Sequence, residues 1–72
     1  MTTLTDGDRL TYTTGRWTVI LQRVRSDAHT VVVEKGGFRV DDLCGSYPTE
    51  AEARAVARLH AQMALAETVE GN

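Results

Sequence analysis

Cys44, His60 and either Asp41 or Asp42 supply the side-chain types of a thiol nucleophile, an imidazole base and a carboxylate to orient it. Cys44 follows a predicted strand and His60 lies two turns into a predicted helix, so a fold could bring them together. The opposing reading is stronger. A lone cysteine is usually a small buried hydrophobe, and His60 flanks the apolar stripe of its helix. A chain of 72 residues has little room for a ligand cleft of about 300 Å³ or more. Metal chemistry fares no better. Two histidines and one cysteine show no ligand pair at a zinc spacing. Asp6-Gly7-Asp8 lacks the downstream ligands of a calcium loop, and Gly36-Gly37 is a turn signal without a phosphate-cradling motif around it. The chain reads as non-enzymatic, with no catalytic residue, cofactor or small-molecule substrate implied.

The elements that would position these residues are legible in outline. Residues 1–8 read as a flexible polar lead-in ending in the Asp6-Gly7-Asp8 turn. Residues 9–43 read as antiparallel strands: Arg9 to Thr13, Trp17 to Arg25, His29 to Lys35, and a return from Phe38 to Leu43 after the Gly36-Gly37 hairpin signal. Cys44-Gly45-Ser46 breaks the pattern. Residues 49–69 read as a helix opened by a capping box, with Thr49 set to accept the Glu52 amide and the Glu52 carboxylate to reach back. Glu50 is placed to pair with Arg54. Ala55, Val56, Leu59, Met63 and Ala66 fall on one stripe at 100° per residue and are expected to face the sheet, with Leu65 on the back. The expected fold is α+β: one domain with three or four antiparallel strands and a C-terminal helix packed on one face.

Length and charge bound the rest. A chain this short buries only about 60% of its unfolded surface, and without a disulfide or metal such a domain often gains stability by association. The formal charge of −2 gives no basic excess for a phosphate backbone. The single cysteine fits a reducing compartment, the N-terminus has no signal-peptide pattern, and no apolar run is long enough for a bilayer. A cytoplasmic location without membrane contact is expected.

One helix can cover only one face of a sheet, and an antiparallel sheet with a wet face should alternate cleanly. These strands do not. Val19-Ile20-Leu21 and Val31-Val32-Val33 are each apolar at three consecutive positions, so both faces of the inner strands carry apolar side chains. In one register, Trp17, Val19, Leu21, Val31, Val33, Phe38 and Val40 face the helix, leaving Ile20, Val24 and Val32 open among Thr18, Gln22, Thr30 and Glu34. In the other, the faces swap and Trp17, Arg23 and Arg25 point outward. The first buries the larger side chains, each worth about 1.5–3 kcal/mol when fully buried, and is preferred. It makes Ile20, Val24, Val32 and Leu65 a candidate interface for a protein partner or a second copy.

A competing reading comes from resemblance. Gly15-Arg16-Trp17 opening a strand, then hairpin material, then Tyr47-Pro48-Thr49-Glu50-Ala51-Glu52-Ala53, resembles the AP2-like arm DNA-binding domain of phage-type tyrosine recombinases over roughly residues 15–66. Tyr47, Thr49, Glu52 and Ala53 match that family's aromatic-x-Thr-x-x-Glu-Ala lead into its helix. The resemblance implies a three-stranded sheet entering a DNA major groove, with Trp17, Arg23 and Arg25 outward and Arg16 and Arg39 at phosphates. The family's sheet is rich in lysine and arginine, whereas this one interleaves Asp27, Glu34, Asp41 and Asp42. The favoured expectation is therefore a protein-interaction or regulatory module that self-associates, with DNA binding second.

Overall fold

The structure, a computed structural model, describes residues 4–70. It contains β1 (Arg9–Thr14), β2 (Trp17–Arg25), β3 (Ala28–Lys35), β4 (Phe38–Arg39), a single 3₁₀ turn (Asp41–Leu43), β5 (Gly45–Tyr47) and α1 (Glu50–Glu70). The sheet is antiparallel, with β1, β2 and β3 side by side and both β4 and β5 paired to the far side of β3. One helix lies across one face. This is the α+β arrangement the sequence predicts.

Two turns set the registers. Gly15 has φ +58°, and a Cβ there would sit 2.8 Å from Thr68 Oγ1, because this turn lies against the far end of α1. Only glycine suits both demands. Gly36 and Gly37 have φ of +60° and +86°, the double left-handed pair of the tightest hairpin turn. Leu10 thus pairs with Leu21 and Leu21 with Val31, while Tyr12 pairs with Val19 and Val19 with Val33. A bulge interrupts the β2–β3 ladder between Arg23 and Arg25.

The larger-residue register is the one adopted. Val19, Leu21, Val31 and Val33 are buried beneath α1, with Leu10, Trp17, Leu43, Tyr47 and Val56 packed around them. The helix meets them through different residues from those expected. Ala53, Ala57 and Ala64 are the buried ones. The bulkier stripe is turned about a third of a revolution aside: Ala55 and Ala66 are exposed, Val56 is half-buried, and Leu59 and Met63 are each 54% exposed. Side chains without γ-carbons let the helix axis approach the sheet more closely, and that contact overrides the bulk periodicity.

Three further expectations change. The fourth strand is only Phe38–Arg39. Phe38 pairs with Lys35 at the hairpin end and is 80% exposed, and Val40 is only half-buried, so neither joins the core. Residues 45–47, read as a break, form β5, which occupies the other half of the β3 edge. The lead-in is held from residue 4 onward. Leu4 is buried and its amide donates to Glu50 Oε1 at 2.9 Å. The Gly7 amide donates to the Arg23 carbonyl at 2.7 Å, and the Arg23 amide to the Asp8 carbonyl at 3.0 Å. The remainder of the lead-in, residues 1–3, lies outside the described residues.

Candidate interaction face

The pairing parity sorts the exposed face into rows. Arg9, Gln22, Thr30 and Ser46 form one, Thr11, Ile20 and Val32 the next, and Thr13, Thr18, Glu34 and Arg39 the third. The middle row carries the apolar material: Ile20 and Val32 are direct cross-strand partners and both half-buried. Val24, at the bulge, is 51% exposed. Beside Val32 a groove of about 490 Å³ opens between β4 and β5, lined by Thr30, Val32, Arg39, Asp41, Cys44 and Ser46 among others. The fourth interface candidate, Leu65, is 54% exposed on the helix and lines a separate cleft with Tyr12. The structure thus brings Ile20 and Val32 together and leaves Leu65 apart from them.

The residues expected to meet DNA are dispersed. Trp17 faces the helix side, with Lys35 Nζ 5.0 Å from its ring centroid. Arg23 is on that side too; its Nε donates to Asp6 at 2.9 Å and its Nη1 to the Leu4 carbonyl at 2.7 Å. Arg25 pairs with Asp27 at 3.0 Å and Arg39 with Asp41 at 3.1 Å. Arg16 is exposed in the β1–β2 turn.

Cys44 is engaged in the backbone. Its Sγ accepts the Val33 amide at 3.4 Å and its thiol lies 3.3 Å from the Val40 carbonyl, a donor geometry. The thiol stands where a ladder partner is missing between β4 and β5. His60 borders a cavity of about 80 Å³ with Trp17, Leu43, Met63 and Glu67, and Asp41 and Asp42 are exposed. Cys44 and Asp41 line the groove beside β3, whereas His60 lines the other cavity, and no hydrogen bond joins the thiol to His60 among the described residues. Among the described residues, no group of three or more histidine, cysteine, aspartate or glutamate side chains is placed to hold a metal ion, and no helix is long and apolar enough to cross a membrane.

Charge is used to anchor the helix start. The Glu50 carboxyl is held below the ordinary carboxylate range, first by the hydrogen bond from Arg54, 2.7 Å away, and then by the Leu4 amide. Thr49 Oγ accepts the Glu52 amide at 3.2 Å, as the capping box predicts. Sequence reasoning missed His29. It is 1% exposed, and neither ring nitrogen has a partner among the described residues. Its place in a strand, two residues before Val31 on the same side, was the available signal.

Fold and face together define a small sheet-plus-helix domain with one uncovered sheet surface. No protein-family model, curated protein or solved structure matches the chain.

Proposed function

We propose that this protein is a non-enzymatic interaction module that docks a protein partner on the open face of its sheet. The observation that carries this reading is the Ile20–Val32 pair, uncovered at the centre of that face beside a groove of about 490 Å³. A partner's apolar side chain can enter the groove against Val32, while Thr11, Thr18, Thr30 and Gln22 offer a polar rim. An apolar centre with a polar rim is the ordinary anatomy of a protein interface. The DNA alternative is less well supported, because Trp17 and Arg23 face the helix side and Arg25 and Arg39 already hold carboxylates.

The test uses the full chain as bait, followed by calorimetric titration of the captured protein into wild type, Ile20→Asp and Val32→Asp. Both variants are expected to keep a cooperative thermal transition and to bind about tenfold or more weakly, a loss of about 1.4 kcal/mol or more. A Ser26→Asp control, in the remote β2–β3 turn, is expected to bind normally. Equal affinity for wild type and both aspartate variants would overturn the proposal.

A further inference from the structure

The two outer strands end differently. Hydrogen-bonding direction alternates along an antiparallel strand. The Arg23 amide points to β1, where it reaches the Asp8 carbonyl. In that parity Leu10, Tyr12 and Thr14 bond β2, so Arg9, Thr11 and Thr13 aim their backbone N–H and C=O groups out of the sheet. Nothing among the described residues pairs with that side of β1. The usual protections of an edge are sparse as well: β1 (Arg-Leu-Thr-Tyr-Thr-Thr) contains no proline, no lysine and no bulge, and its one charged side chain is Arg9 at the strand's start.

We infer that a second copy of this chain pairs with β1, antiparallel and two-fold symmetric, with Thr11 opposite the second copy's Thr11. This register is the one that uses every outward group. Arg9 meets the second copy's Thr13, and the reverse, giving about six backbone hydrogen bonds. A shift of two residues in either direction leaves Arg9 or Thr13 without a strand partner. Charge agrees with it. Arg9 faces a threonine rather than another arginine, and the Gly15-Arg16 turn of each copy comes beside the acidic Asp6-Gly7-Asp8 turn of the other. On the helix side Leu10 lies opposite the second copy's Tyr12, which is 39% exposed in the single chain. That contact sits at the mouth of a cleft of about 270 Å³ between β1 and α1, lined by Tyr12, Arg58, Ala61 and Leu65 among others. On the open side the register aligns the rows Val32–Ile20–Thr11 of the two copies end to end. The dimer then presents one continuous sheet face with two apolar pairs, both helices on the opposite side. The inference is independent of what docks on that face.

Sedimentation velocity on the full chain, from micromolar to millimolar, tests it with two variants. Thr11→Pro removes an outward N–H at an edge position that tolerates proline, and Ile20→Asp marks the open face. Wild type and Ile20→Asp are expected to dimerise alike, and Thr11→Pro about tenfold or more weakly, with its circular dichroism unchanged. Amide exchange at Arg9, Thr11 and Thr13 is expected to slow as concentration rises. A Thr11→Pro dimer of wild-type strength, or a wild-type chain that stays monomeric at millimolar concentration with these amides exchanging freely, would overturn the inference. If Ile20→Asp alone abolishes the dimer, the second copy sits on the open face; the β1 pairing is then wrong while the interaction-face reading survives.

Discussion

The two long edges of the sheet meet opposite fates. On the far side of β3 the outward row is His29, Val31, Val33 and Lys35, and each has been given a neighbour. His29 and Val31 pair with Tyr47 and Gly45 of β5, and Lys35 pairs with Phe38 of β4. Val33, where the two short strands leave a gap, receives the Val40 amide on its carbonyl at 2.8 Å and gives its own amide to the Cys44 thiol. On β1 the corresponding row of Arg9, Thr11 and Thr13 has no such cover among the described residues. The chain devotes residues 38–47 to closing one edge and leaves the other as plain strand. An unprotected edge is a template for another strand, and with β3 closed the inferred pairing of a second copy falls to β1.

The comparison is broken most completely by removing what both edges share. Leu21 is fully buried and pairs with Leu10 of β1 on one side and Val31 of β3 on the other. Leu21→Ala is expected to lose about 2–5 kcal/mol, through lost transfer energy and the cavity left behind. Chemical denaturation should show it as a lower midpoint with an unchanged slope. A loss below about 1 kcal/mol would mean that the core is not centred on β2.

The closed edge alone is tested by Cys44→Val. Valine fills similar space but cannot accept the Val33 amide, and leaving a partly buried donor unpaired costs about 1–3 kcal/mol. Cys44→Ser, which keeps an acceptor on a shorter bond, should cost less than valine. Exchange of the Val33 amide should quicken most in the valine variant while β1 is undisturbed. Equal stability of wild type and the valine variant would remove the thiol from the account of how this edge is closed.

How much of this was legible beforehand follows from which signals are local. Gly36-Gly37 and the Thr49–Glu52 pair act within a few residues, and the hairpin and helix start they predict are present. The helix-facing register follows from the bulk of Trp17, Val19 and Leu21, also a matter of neighbours. The closed edge is not local. Gly45-Ser46-Tyr47 has no strand signature of its own and becomes β5 because His29 and Val31 offer a row to pair with. The helix face is decided by approach distance, so alanines displaced Leu59 and Met63 from the core position that periodicity assigns them. The candidate face was visible as consecutive apolar residues around Ile20 and Val32. The free edge was not, because it depends on which strand ends outermost and with which parity.

The smallest expected effect has the opposite sign, and it separates two ways of closing an edge. His29 lies on the same outward row as Val33 and is more deeply buried than Cys44, yet its ring nitrogens bond nothing among the described residues. Its backbone pairs with β5, whereas its side chain is buried with no hydrogen-bond partner among the described residues. Desolvated polar atoms without partners are unfavourable, and an apolar residue of similar volume removes that burden. His29→Leu is therefore expected to be neutral or to stabilise the fold by up to about 1 kcal/mol, although it touches the edge that Cys44→Val weakens. Denaturation of the two single variants and the double variant would compare them directly. Losing about 2 kcal/mol or more in His29→Leu would be the signature of a bonded imidazole. The edge would then be held by side chains as well as by the β5 backbone.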